Sequence, residues 1–126
     1  MGNSRTPTVA DHQDGTYERV VKAGHLVKGM SFSQRVWAVC ARIPRGKVTT
    51  YREIARKLNS RGARAVGSAL HRNPYAPEVP CHRVVGADGS LRGYAGGVQK
   101  KRELLRDEGI RFTNENVDLM RHWVRL

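Results

Sequence analysis

The segment from Thr50 to Asn73 most constrains what this chain can fold into. Thr50-Tyr51-Arg52-Glu53 has the form of a capping box, in which the threonine hydroxyl caps a helix and the glutamate reaches back. Tyr51, Ile54, Ala55 and Leu58 then share one face at helical spacing. Asn59-Ser60-Arg61-Gly62 reads as a turn. A second helix is expected from Ala63 to His71, with Val66 and Leu70 facing inward, ended by Asn73-Pro74. Two short helices on a tight turn predict a helix-turn-helix unit, although many helical hairpins share that spacing.

The second helix carries small side chains, Ala63, Ala65, Gly67, Ser68 and Ala69, with Arg64 projecting among them. Such a surface permits close approach, either to another helix or to a ligand. A reader of base edges in the major groove usually carries more Asn, Gln or Arg. One long cation among small residues suits the minor groove, where a side chain can wedge into the base stack. Charge favours nucleic acid as the partner. The formal net charge is +12, of which residues 1–30 contribute only +1, so the excess belongs to the folded part rather than to a basic tail.

The chain's 126 residues suffice for one compact domain. No stretch approaches a membrane span, and the start lacks the basic-then-apolar pattern of a secretory signal. The two cysteines, Cys40 and Cys81, are therefore expected as free thiols in a reducing, cytoplasmic or nuclear compartment. Cys40 lies on the apolar stripe Val36-Trp37-Cys40-Ile43 and reads as a small core residue. The five histidines and two cysteines show no zinc spacing, and no metal is expected.

Residues 1–29 read as a flexible arm and 30–126 as the domain, with an extension from about 112. Ser33 is a candidate helix cap, with Phe32 and Trp37 as a hydrophobic staple. Tyr75 to Pro80, with three prolines from Pro74 to Pro80, reads as a stiff extended crossing. His82 to Val85 suggests a strand, and Asp88-Gly89 a turn returning Leu91-Arg92 as a hairpin. Gly93-Tyr94-Ala95-Gly96-Gly97 is a glycine-rich loop without the Gly-Lys-Ser/Thr ending of a P-loop. Val98 to Glu108 is expected as a helix, with Val98, Leu104 and Leu105 apolar and Gly109 as its stop. Val117, Met120, Trp123 and Val124 suggest a short element packed on the core.

Pro80-Cys81-His82-Arg83-Val84 places a thiol beside an imidazole and a guanidinium. Nearby positive charge and a base favour the thiolate, the nucleophilic form. Glu108 sits at the end of its helix, where the dipole disfavours an acid by roughly 0.3–1 kcal/mol. A carboxylate there can be held for a partner such as His82, or be an ordinary surface acid.

Taken together and in this order, Gly46-Lys47-Val48-Thr49-Thr50-Tyr51, Ala63-Arg64-Ala65-Val66-Gly67, Asn73-Pro74, the Cys81 pentad, the Tyr94 loop and Leu104-Leu105 through Glu108-Gly109 resemble the catalytic domain of the O6-alkylguanine-DNA alkyltransferases. The resemblance covers about Phe32 to Arg111. It implies a mostly α fold with a small β-hairpin, built on a winged-helix-like helix-turn-helix. It also implies repair of double-stranded DNA by stoichiometric transfer of an alkyl group from O6-alkylguanine to Cys81, by a monomer, without a cofactor and away from membranes. By the same resemblance, His82 deprotonates Cys81 through a bridging water and Glu108 orients His82. Asn73 braces the turn, and Tyr51 donates to the departing guanine. Arg64 fills the stack after base flipping, while Thr50, Tyr51, Ala63, Ala65 and Gly67 lie against DNA. Tyr94, Ala95, Gly96, Val84 and Arg83 belong to the substrate pocket. Ala95 stands where relatives often have Ser. The short build also resembles the alkyltransferase-like proteins, which bind the lesion without transfer and commonly replace the acceptor cysteine with Trp; Cys81 argues against that role.

Overall fold

The computed structural model describes residues 17–60 and 62–126. In chain order the elements are α1 (Glu18–Lys22), α2 (Phe32–Cys40), β1 (Thr49–Thr50), α3 (Tyr51–Lys57), α4 (Ala63–His71), a 3-10 turn (Cys81–Arg83), β2 (Val84–Val85), α5 (Val98–Asp107), β3 (Phe112–Thr113), β4 (Asn116–Val117) and α6 (Leu119–His122). Among the described residues the fold is helix-rich with two small sheets, and α3 and α4 form the expected helix pair.

β1 and β2 pair in parallel, Thr49 with Val84 and Thr50 with Val85. Parallel neighbours need a crossover, and here the α3–α4 pair supplies it. Successive strand residues face opposite sides, so the two strands separate two cores. Val84 joins Val21, Val36, Val39, Ile43, Ile54 and Val66 on the helical side. Val85 and Val48 join Leu105, Ile110 and Val117 on the other.

Several local expectations change. The cap of α2 is Ser31, not Ser33: Ser31 Oγ accepts from Gln34 N and Gln34 Oε1 accepts from Ser31 N. Only Ser31 has a Gln three residues on, and Phe32 falls inside the helix. Thr50 does cap α3 through Glu53 N at 3.1 Å, but the Glu53 carboxylate turns to Arg56 and to Leu126 N instead of reaching back. Cys81–Arg83 is a 3-10 turn, which leaves only Val84–Val85 as strand. The Asp88-Gly89 turn forms, yet Leu91-Arg92 does not return as a strand, because Gly89 O accepts from Val117 N of the tail at 2.8 Å. A Cβ on Gly89 would lie 2.4 Å from Val117 O, so glycine is needed for that contact. The hairpin is instead β3–β4, turning through Asn114 and Glu115, both at positive φ.

The tail expectation is met by more than one element: after the hairpin and α6, Trp123 bridges Val48 alongside β1. Met120, expected to pack, is wholly exposed. Val98 is also largely exposed at the start of α5. Part of the expected arm is helix α1, which buries Val21 against α2 because its apolar residues find a face there; residues 1–16 lie outside the described residues.

Candidate active site

The site is assembled from three stretches: the segment that follows α4, the 3-10 turn, and the C-terminus of α5. The first was expected to be extended but is wound into turns over residues 74–78, with Val79 N donating to Tyr75 O at 2.9 Å, and Asn73 closes it. Its Nδ2 donates to Val79 O at 2.9 Å, and its Oδ1 accepts from Tyr75 N at 2.9 Å. Tyr75 is held edge-on to Trp37, with ring centroids 5.8 Å apart. Cys81 N donates to Val79 O and Arg83 N to Pro80 O, which winds the turn and presents Cys81 and His82 in succession.

Glu108 is delivered by the end of α5. Gly109 N donates to Arg106 O and Ile110 N to Leu105 O, with Gly109 at φ 85, the pairing of a Schellman motif. That motif fixes Glu108 as the last residue before the turn. Its Oε2 lies 2.9 Å from His82 Nε2. Arg83 Nε and Nη2 donate to its two oxygens at 2.8 Å each, while Arg83 Nη1 donates to Ile43 O. Burial alone would raise the Glu108 carboxyl; the hydrogen bonds from Arg83 and His82 outweigh it and hold the group below the ordinary carboxylate range. An ionised carboxylate only accepts, so His82 carries its proton on Nε2. Nδ1 is left with a free lone pair, and it has no hydrogen-bond partner among the described residues. His82 is almost fully buried, and burial lowers its pKa against the opposing pull of Glu108, so it is neutral near pH 7.

Cys81 departs from the expectation that adjacent positive charge favours its thiolate. Burial raises its pKa, and the opposing effects come from a hydrogen bond to Asn73 and the charge of Lys101. The Arg83 guanidinium is spent on Glu108 and Ile43. Cys81 therefore rests as a thiol and needs a base. Cys40 is fully buried in α2, and burial pushes its thiol up further still, in keeping with a core role.

A crevice at Cys81 is lined by Tyr51, Gly67, Leu70, His71, Gly93, Tyr94 and Ala95. Tyr51 and Gly67 also line the adjoining cleft of about 630 Å³, with Ala63, Arg64, Arg52 and Ala87. Ala63, Arg64 and Ala65 are exposed on the outer face of α4. Burial raises the Tyr51 phenol to about 12, so it remains a donor. Tyr94 stands edge-on to the His82 ring, 6.5 Å between centroids. Of the expected pocket residues, Val84 is fully buried in the sheet, Arg83 turns to Glu108, and Gly96 is exposed in the loop beside Tyr94. Thr50 faces a second groove.

Lys101 is the site residue that the sequence reading missed. It is fully buried, and Nζ donates to Tyr51 Oη at 3.2 Å and to Arg92 O at 2.9 Å. Burial pulls its pKa down to about 8. The signal was positional: Lys101 lies four residues before Leu105, on the buried face of α5. Among the described residues, no three His, Cys, Asp or Glu side chains gather as a metal site would require, and no helix is long and apolar enough to cross a membrane.

A family model described as "6-O-methylguanine DNA methyltransferase, DNA binding domain" matches residues 31–110. A methylated-DNA–protein-cysteine methyltransferase of Mycobacterium bovis is 50% identical over 86 residues, which are 68% of this chain and 52% of the relative. One of Salmonella typhimurium is 51% identical over 102 residues, 80% of this chain and 60% of the relative. The chain thus spans between half and two thirds of these relatives' length. The crystal structure of Mycobacterium tuberculosis OGT in complex with DNA superposes with a TM-score of 0.61 at 42% identity, covering 77% of this chain and 66% of that one. S. pombe Atl1, in complex with damaged DNA containing O6-carboxymethylguanine, gives a TM-score of 0.65 at 31% identity, covering 75% of this chain and 95% of that one. With the matched stretch running from the cap of α2 past Glu108, the chain belongs to the O6-methylguanine DNA methyltransferase family, and its residues 31–110 match that family's DNA-binding domain.

Proposed function

We propose that this protein repairs double-stranded DNA by moving the alkyl group of O6-alkylguanine onto Cys81, once per molecule. The observation that carries this reading is the His82–Glu108 contact of 2.9 Å, which leaves His82 Nδ1 unprotonated next in sequence to a thiol in a crevice. Nδ1 takes the Cys81 proton through one bridging water. Sγ then attacks the alkyl carbon, the carbon–O6 bond breaks, and its electron pair passes to the purine. The proton lost by the thiol is balanced by one gained at the guanine ring. The product is a thioether, which no group in the site can cleave, so the protein is consumed.

Lys101 donates to the Tyr51 oxygen, which leaves the Tyr51 O–H for an acceptor on the departing ring. The alkyl group lies inside duplex DNA, so the nucleotide must leave the stack at a cost of a few kcal/mol. The exposed face of Ala63, Arg64 and Ala65 borders the cleft that leads to Tyr51 and Cys81. In this reading it rests in the minor groove and Arg64 occupies the vacated position.

Intact mass after incubation with a duplex containing O6-methylguanine tests the proposal. A gain of one methylene, mapped to the Cys81 peptide and absent from the Cys40 peptide, is expected. Retarded migration of the same duplex with no mass gain would instead make the protein a lesion binder, a reading that the raised Cys81 pKa and the likeness to S. pombe Atl1 favour.

Arg64→Ala separates flipping from chemistry. Transfer from duplex is expected to slow roughly tenfold or more, about 1.4 kcal/mol per tenfold, while reaction with free O6-alkylguanine base keeps its rate. Equal losses in the two assays would remove Arg64 from the flipping step.

A further inference from the structure

A second groove of about 420 Å³ lies beside the first cleft, lined by Thr50, Ala87, Leu119, Met120 and Trp123. Three of those five residues come from the tail, beyond the stretch that matches the family model. Met120 is 101% exposed and Trp123 38% exposed, although Trp123 sits on backbone that is fastened beside β1: Val124 N donates to Val48 O and Val48 N to His122 O, each at 2.9 Å. The tail therefore holds two large apolar side chains in water on a fixed support. Folding alone gives no reason for Met120 to be there.

Two observations identify the occupant. The groove continues the candidate DNA face, because Ala87 lines both cavities and Thr50 is followed directly by Tyr51. Its surroundings are cationic: Arg52 lines the adjoining cleft, and the Arg125 guanidinium lies 5.7 Å over the Trp123 ring. An aromatic ring with a cation over one of its faces is the kind of platform on which nucleotides stack. We infer that the Trp123–Met120 groove is a second DNA contact, gripping the nucleotides next to the extruded one on the same strand. Trp123 offers a stacking face, Met120 packs against deoxyribose, and Arg125 faces phosphate. This inference rests on the reading of the site as a binder of alkylguanine DNA.

The test is affinity for an O6-methylguanine duplex, alongside the rate of alkyl uptake from the free base. Met120→Glu is the main variant, since a fully exposed side chain can change without unfolding the protein. Both Met120→Glu and Trp123→Ala are expected to bind duplex roughly tenfold more weakly, within the range seen for loss of one stacking residue, with free-base uptake unchanged. Trp123→Phe is expected to restore binding. Duplex should quench part of the wild-type tryptophan emission, and less of it in Trp123→Phe. If wild type binds and reacts but both weakened variants match it, the groove is not a DNA contact and the site reading stands. If wild type itself does not bind duplex, both fall. A wild-type dimer that Met120→Glu dissociates, with duplex affinity unaltered, would assign the groove to a second copy of the chain and overturn the inference.

Discussion

Glu108→Ala is expected to destabilise the protein by about 3–5 kcal/mol, the usual cost of removing one partner from a buried ion pair. Three hydrogen bonds disappear together, two from Arg83 and one shared with His82. The Arg83 guanidinium keeps only Ile43 O, and His82 becomes a buried ring with neither nitrogen partnered in the described residues. Urea denaturation reads the loss. Alkyl uptake should fall by about a hundredfold or more, the usual worth of general acid–base catalysis, because nothing then keeps the proton on Nε2 and the lone pair on Nδ1.

Glu108→Gln distinguishes packing from chemistry. The amide preserves shape and recovers part of the stability. One of its ends is NH₂, however, and that end cannot stand at the Oε2 position, where it would face Arg83 Nη2, which can only donate. The amide oxygen takes that position and still accepts from His82 Nε2 and Arg83 Nη2, while the NH₂ faces Arg83 Nε; the tautomer is kept, but the carboxylate charge that stabilises the ring as it takes the Cys81 proton is gone. The expected result is a folded protein whose single-turnover rate lies between those of Glu108→Ala and the wild type. Recovery of the wild-type rate would mean that Glu108 only packs the site.

Acid should weaken the wild type through the same two groups. His82 and Glu108 both have folded-state pKa values below their ordinary 6.5 and 4.5. Each therefore binds fewer protons folded than unfolded, and the contribution present above the ordinary value is lost as pH falls through the folded one. The decline begins below about pH 6.5 with His82, and Glu108 adds to it below about pH 4.5. Glu108→Ala should lack the second part.

Local rules in the sequence reached the helices well and the sheet poorly. α4 runs from Ala63 to His71 as its turn residues and proline imply, and Thr50 caps α3 as its hydroxyl suggests. The parallel β1–β2 pair was out of reach, because two valines and two threonines 35 positions apart carry no local pairing signal. The hairpin was misplaced for a related reason. Asp88-Gly89 is a sound turn, but the partner of Gly89 is Val117, which no short-range rule connects to it. At the site, Asn73, Cys81 and His82 could be grouped from neighbouring motifs, whereas Arg83's turn toward Glu108 depends on where α5 ends in space. Lys101 was hidden by its type: in a chain of net charge +12, one more lysine on a basic helix reads as surface.

Lys101→Met should make the protein more stable and less active. The ordinary lysine pKa of 10.5 falls to about 8 here, because burial penalises the ammonium form. Between those values the unfolded chain binds the proton and the folded one does not, so wild-type stability should rise with pH across pH 8 to 10.5. The rise amounts to about 3 kcal/mol, from about 1.36 kcal/mol per unit. At pH 7 that same quantity is a cost that the folded protein bears to keep a charged lysine inside. Methionine fills similar space without charge, so its variant should gain up to about 3 kcal/mol at pH 7 and show no rise above pH 8. The function of the charge explains why such a cost is tolerable. Lys101 donates to the Tyr51 oxygen, and its charge opposes the effect of burial on the Cys81 thiol. Losing a charged hydrogen bond of roughly 1.5–3 kcal/mol should slow alkyl uptake about ten- to a hundredfold at pH 7. Thermal melts at pH 7 and pH 10, with single-turnover rates at pH 7, decide the matter: a variant that is less stable at pH 7 would show that the buried charge is no cost to the fold, and one that reacts at the wild-type rate would show that it has no part in the chemistry.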